Sequence, residues 1–198
     1  KPSRKGVIST KTIEQAIKGN TKLISIMYIN NEIGTINPIK KIALIARKSG
    51  ALMHTDAVQA MGKIDLNIKE LGIDMMSLSG HKFYAPKGVG ILFVKENTPV
   101  KPIFFGGGQE SQLFSGTENV ISIGALAEAL KICCHNLDNS INAIKKLDNY
   151  FISLLDKSNI NYKINGENRV PGILNITIAN TQASSFIINL DKEGYAIS

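Results

Sequence analysis

Residues 73–94 read IDMMSLSGHKFYAPKGVGILFV. Two largely apolar runs, 73–78 and 89–94, flank a polar turn that holds Ser79, Gly80, His81 and Lys82, followed by Pro86, Lys87 and Gly88. Both runs have the length and aliphatic content of buried strands. The connection is too short for the helical crossover that a parallel pair needs, about a dozen residues or more. Strand 89–94 is therefore expected to run antiparallel to strand 73–78, or to leave its neighbourhood.

Upstream, residues 22–29 (KLISIMYI) read as a buried strand, and Ala51 to Thr55 as another that ends at Asp56. Between them Asn37-Pro38 marks a helix start, with proline at the first helical position, and Gly50 marks its stop after Lys48. Residues 66–71 look like a helical turn. Strand and helix alternate from 22 to 79, the pattern of an α/β fold with parallel strands. With the reversed last strand, the expectation is a mixed, mostly parallel sheet with helices on both faces. Residues 11–19 read as a short helix capped by Thr10, with Ile13, Ala16 and Ile17 inward.

Beyond Gly106-Gly107-Gly108 the pattern changes. Asn119 to about Lys157 is helix-rich, with Leu126, Leu130, Leu137, Ile141, Ile144, Leu147, Phe151 and Leu154 roughly on one stripe. The polar stretch 136–139 marks a kink or a domain junction. Residues 160–164 and 173–178 read as strands, Ser184 to Lys192 as a helix, and 195–197 as the start of another strand. The expected division is a large domain over 1–136 and part of a small α+β domain over 137–198.

The 198 residues carry 23 Lys and Arg against 16 Asp and Glu, a formal charge of +7. Only Arg4, Arg47 and Arg169 are arginines, Trp is absent, and the lysines are scattered. Nucleic-acid binding calls for clustered arginine with aromatics, so a solvated lysine-rich surface is the reading. Apolar runs fall far short of the ~20 residues of a membrane span. Cys133 and Cys134 are adjacent, so no disulfide framework is expected, which fits a cytoplasmic protein. No metal-ligand set is read.

Three polar clusters follow the ends of the buried strands: Asn30-Asn31-Glu32, then His54, Asp56 and Gln59, then Ser79, His81 and Lys82. Ligands of open α/β sheets bind outside the carboxyl ends of the strands. A strand-end lysine can form a Schiff base with an aldehyde. An aspartate one strand away can hold a pyridine nitrogen protonated. Ser79 and His81 can donate to a phosphate, and Gln59 to a phenolic oxygen. In outline this is a site for pyridoxal 5′-phosphate. No other amine is read at the strand end that carries Lys82.

The stretch His54-Thr55-Asp56-Ala57-Val58-Gln59-Ala60-Met61-Gly62-Lys63 resembles H-x-D-A-x-Q-x-x-G-K of the cysteine desulfurases, class V aminotransferase-fold enzymes with type I pyridoxal-phosphate architecture. Residues 77–88 (SLSGHKFYAPKG) are similar to that family's S-x-S-x-H-K-x-x-G-P-K-G, and residues 30–34 to its N-N-E-[IT]-G. Gly106 to Glu110 and Ser115 to Asn119 resemble G-G-G-Q-E and [SA]-G-T-x-N. The resemblance implies that Lys82 is the Schiff-base lysine and acid–base group. It implies that Asp56 pairs with the pyridine nitrogen and Gln59 with the ring oxygen, and that Asn31 lies near cofactor and substrate. It further implies that Ser79 and His81 bind the phosphate. Thr117 would reach the phosphate in the partner subunit of a homodimer. Ser111-Gln112-Leu113-Phe114 departs from the family pattern, which carries arginines there.

The activity so implied takes sulfur from L-cysteine, leaving L-alanine and an enzyme persulfide for iron–sulfur cluster assembly or other sulfur transfer to an acceptor or scaffold protein. The resemblance places a phosphate-binding loop and a ring-stacking histidine ahead of this stretch. It places the persulfide-forming cysteine and a carboxylate-binding arginine just after it. The stretch is thus read as the middle of a longer chain, inactive alone, with Cys133 and Cys134 outside the chemistry. Alternatives are a selenocysteine lyase or other class V enzyme, and a non-catalytic dimerisation or scaffold piece.

Overall fold

A computed structural model describes residues 2–3 and 5–198. Lys1 and Arg4, counted above for charge, lie outside the described residues. Helix α1 (Thr10–Ala16) precedes β1 (Leu23–Met27), α2 (Ile39–Ser49), β2 (Leu52–Asp56), α3 (Ile68–Leu71), β3 (Met75–Ser79) and β4 (Gly90–Val94). The four strands lie side by side in chain order. The first three are parallel, and β4 runs antiparallel to β3, with Met75 opposite Val94 and Ser79 opposite Gly90. The short 80–89 connection enforces that reversal, as its length predicts.

Alternation along the strands separates two faces. Ile24 and Ile26, Met53 and Thr55, Met76 and Leu78 are buried on one of them. Ile39, Ile42, Ala43 and Ala46 of α2 join the same core. Each fully buried aliphatic side chain contributes about 1.5–3 kcal/mol. Thr55 is satisfied there by donating to the Ile26 carbonyl at 2.9 Å. The opposite face presents Ser25, His54, Asp56, Ser77 and Ser79, all incompletely buried.

Two caps differ from the sequence expectation. Ser9, not Thr10, caps α1: its backbone is extended, and its Oγ accepts from the Thr12 amide at 3.0 Å. Pro38 stands at the N-cap of α2 rather than inside it. Asn37 is drawn off the helix end, because its side chain accepts from the Ile8 amide (3.0 Å) and donates to the Met27 carbonyl (2.8 Å). Gly50 ends α2 at φ 72°, as expected of a left-handed C-cap.

Helices α4 (Val120–His135) and α5 (Leu137–Lys157) meet at Asn136 with a bend of 69°. Leu126 is buried against the sheet domain, whereas Leu147, Phe151 and Leu154 of the same stripe are exposed. Among the described residues no single helix is long and apolar enough to cross a membrane. Strands β5 (Tyr162–Asn165) and β6 (Asn175–Ile178) form an antiparallel hairpin, followed by α6 (Ala183–Lys192). Residues 195–197 form no strand; the Tyr195 amide instead donates to the Leu190 carbonyl of α6 at 2.9 Å.

The hairpin connection returns to the loop after β1. Asn168 accepts from the Ile36 amide and Val170 donates to the Gly34 carbonyl, both at 3.0 Å. Val170 is 1% exposed. The segment at 166–173, which the sequence reading assigned to the small domain, thus packs directly on the Asn30–Gly34 loop.

Candidate active site

The three polar clusters stand at the carboxyl ends of β1, β2 and β3, which are neighbours in the sheet. Asn30 shapes the first. Its Oδ1 accepts from the amides of Glu32 (2.9 Å) and Ile33 (3.0 Å), and its backbone closes the turn with Gly34 and Thr35. That turn leaves Asn31 exposed, its amide donating to Glu32 at 3.1 Å.

Asp56 is the last residue of β2. Its Oδ1 accepts from the Val58 amide at 2.9 Å, which starts the turn toward Gln59. Two residues earlier on the same face, His54 spans three strands. Its Nδ1 lies 2.7 Å from Ser25 Oγ on β1, and its Nε2 lies 2.9 Å from Ser77 Oγ on β3. Burial lowers the His54 pKa, and the neighbouring Asp56 charge opposes that only in part. The folded pKa is below the unfolded value of about 6.5. The unfolded chain therefore binds more protons as pH falls, and stability present above that value is lost through the folded pKa. Urea midpoints are expected to fall from about pH 7 to about pH 5, and H54Q to flatten that slope. An unchanged slope in H54Q assigns the pH dependence elsewhere.

Ser79 ends β3 and leads into a 3₁₀ turn, Gly80–Phe83. Phe83, 1% exposed, and Gly80 point into the core, which leaves His81 and Lys82 exposed. Gly80 is tightly enclosed: a Cβ there would lie 3.0 Å from Ala85, Leu126 and the Val89 carbonyl, so these neighbours would have to shift. A buried aromatic and a close backbone approach thereby present the lysine. Ser79 Oγ and His81 Nδ1 are 2.9 Å apart, a pair of adjacent groups that can both turn to an anion.

A second amine approaches the site from the turn after β2, near enough for its charge and that of Lys82 to interact. Lys63 folds back at the end of the 57–66 turn and donates from Nζ to Gln59 Oε1 at 3.0 Å. Burial lowers its pKa first, and the charge of Lys82 lowers it further. Sequence reasoning quoted Lys63 within its motif but gave it no role. The i, i+4 spacing from Gln59 was the available signal.

Thr117 is not brought to this cluster. It is exposed in the segment between Gly116 and Asn119, where Asn119 caps α4 by accepting from the Ser122 amide at 3.1 Å. Nearby, Glu110, Ser111 and Gln112 adopt φ of 48°, 56° and 65°. Three consecutive left-handed non-glycine residues carry strain of roughly 1–2 kcal/mol each.

The donor set fits pyridoxal phosphate: a strand-end amine, a carboxylate one strand away, an amide with free donors, and a hydroxyl–imidazole pair. The mixed sheet and this set agree with the type I pyridoxal-phosphate fold. The chain belongs to the aminotransferase class-V family, whose profile matches residues 1–198. It is 40% identical over 197 residues to cysteine desulfurase IscS of Dictyoglomus turgidum, covering 98% of this chain and 50% of that protein. It is 38% identical over 188 residues to the mitochondrial cysteine desulfurase of Saccharomyces cerevisiae, covering 93% of this chain and 38% of that protein. A solved NifS-like protein superposes with a TM-score of 0.93 at 35% identity, covering 98% of this chain and 54% of that one. SspA, solved in complex with cysteine, superposes with a TM-score of 0.82 at 33% identity, covering 100% of this chain and 55% of that one. The chain thus spans about half the length of the Dictyoglomus protein and the two solved structures, and less of the yeast protein.

Proposed function

We propose that this chain is the cofactor-binding part of a cysteine desulfurase that converts L-cysteine to L-alanine and delivers the sulfur as an enzyme persulfide. The observation that carries the reading is the convergence of Asp56, Gln59, Ser79, His81 and Lys82 on adjacent strand ends, in a chain similar to named cysteine desulfurases. Pyridoxal phosphate, when bound, supplies the electron sink. Asp56 would hold a proton on the ring nitrogen by its charge. Gln59 Nε2 would donate to the ring oxygen, and Ser79 Oγ with His81 would hold the phosphate. Lys82 Nζ would attach the cofactor and move protons as acid and base. Asn31, on the neighbouring loop, would lie near cofactor and substrate.

Cys133 and Cys134 sit in the last turn of α4 and are free thiols. Burial, with the neighbouring Cys134, pushes the Cys133 thiol up, which keeps it protonated and a poor nucleophile. In this reading neither Cys133 nor Cys134 is the sulfur-accepting cysteine. Free thiols suit a reducing cytoplasm, and the sulfur goes to an acceptor or scaffold protein, for iron–sulfur cluster assembly among other uses. In this reading residues 1–136 belong to the large domain and 137–198 to the small one.

A homodimer completes the reading. Ile103, Phe105, Val120 and Ile121 are 83%, 85%, 72% and 86% exposed, and they flank the segment with Thr117. Large apolar side chains so exposed fit an interface with a second copy. The double variant F105D/I121D of the complete protein is expected to shift from dimer to monomer by light scattering; a variant that stays dimeric excludes this patch. The activity itself is tested on the complete protein with pyridoxal phosphate and L-cysteine. Alanine formation with thiol-releasable sulfide is expected. Turnover of L-selenocysteine alone points to a lyase instead, and turnover of neither to a non-catalytic role.

A further inference from the structure

Lys63 enters the site through Gln59. An ammonium has donors only, so the amide atom that faces it at 3.0 Å is the oxygen. That contact removes the usual ambiguity of an amide side chain and leaves Gln59 Nε2 without a protein partner among the described residues. Lys63 is itself held by long-range packing. Gly62, at φ 75°, lies so close to Cys133 of α4 that a Cβ there falls 2.4 Å from Sγ. Met61 and Ile64 on either side pack against the core.

We propose that Lys63 is a positioning residue that fixes the Gln59 amide with its oxygen turned to Nζ, so that Nε2 is committed to donate to the ring oxygen of the cofactor. This rests on the reading of the site given above. A free glutamine amide presents its oxygen or its nitrogen to the cofactor; the oxygen would repel the anionic ring oxygen. Lys63 excludes that orientation before the cofactor arrives.

The test uses the complete protein with pyridoxal phosphate and follows the visible band of the lysine-linked cofactor against pH. A donor at the ring oxygen favours the deprotonated imine, whose ring oxygen no longer shares the imine proton. Loss of that donor therefore raises the apparent pKa. K63M, and K63Q as a second neutral variant whose side chain both donates and accepts, are each expected to raise it by about one unit. K63R keeps a donor-only cation and is expected to stay near the parent value. In a Q59A background K63M is expected to add almost nothing, because the two residues act through one hydrogen bond. An unchanged pKa in both neutral variants overturns the proposal. So does a K63M shift that persists in full in Q59A, since Lys63 then acts by its charge alone. A parent protein with no borohydride-reducible band fails at Lys82 instead, and sinks the site reading on which the inference stands.

Discussion

Lys82→Ala in the complete protein is expected to lose the borohydride-reducible band and to lower alanine production from L-cysteine by several orders of magnitude. The expectation follows from position. Phe83 and Gly80 anchor the 3₁₀ turn in the core, so truncating the exposed Lys82 leaves the scaffold intact. What disappears is the amine that attaches the cofactor and the group that carries protons. General acid–base help alone is about 10²–10⁴-fold. Lys63 does not replace it, because its Nζ is engaged by Gln59 and its stem is partly buried. Noncovalent cofactor binding is expected to survive in part through Asp56, Ser79 and His81, and equilibrium dialysis measures it. If Lys82 were only a surface residue after a strand, band and turnover would both stay near the parent values.

Asp56→Asn is expected to behave differently. Asn keeps an oxygen to accept from the Val58 amide, so the turn toward Gln59 is preserved. The negative charge is lost, and with it the proton on the ring nitrogen. Removal of one preorganised electrostatic partner costs about 10²–10³-fold in kcat. The lysine-linked band is expected to remain, with cofactor occupancy changed less than turnover. D56A also loses the hydrogen bond to Val58, which costs about 1 kcal/mol of stability. Equal kcat in D56N and the parent removes Asp56 from the mechanism.

Much of this fold was legible because local rules and global topology agree in it. The connection after Ser79 is too short for a crossover, which alone determines the reversal of β4. Gly50 ends α2 because the left-handed cap needs it. Other features turn on geometry that a one-dimensional reading does not hold. Ser9 and Thr10 are both competent caps, and the extended backbone at Ser9 decides between them. The stripe of α5 has the helical period, yet Leu147, Phe151 and Leu154 find no neighbours among the described residues that bury them. Periodicity specifies a face and not its partner. Asp56, Gln59, His81 and Lys82 were visible as polar residues at strand ends. Lys63 was not, because its approach depends on a turn that folds back on itself and on contact with a helix about seventy residues later, Cys133 against Gly62.

Two lysines after neighbouring strands, close enough for their charges to interact, make the identity of the modified amine the most direct test of the account. The complete protein is incubated with pyridoxal phosphate, reduced with borohydride, digested and mapped by mass spectrometry. The account predicts one pyridoxyl adduct, on the peptide that carries Lys82. An adduct on Lys63 instead, or none on either lysine, contradicts it.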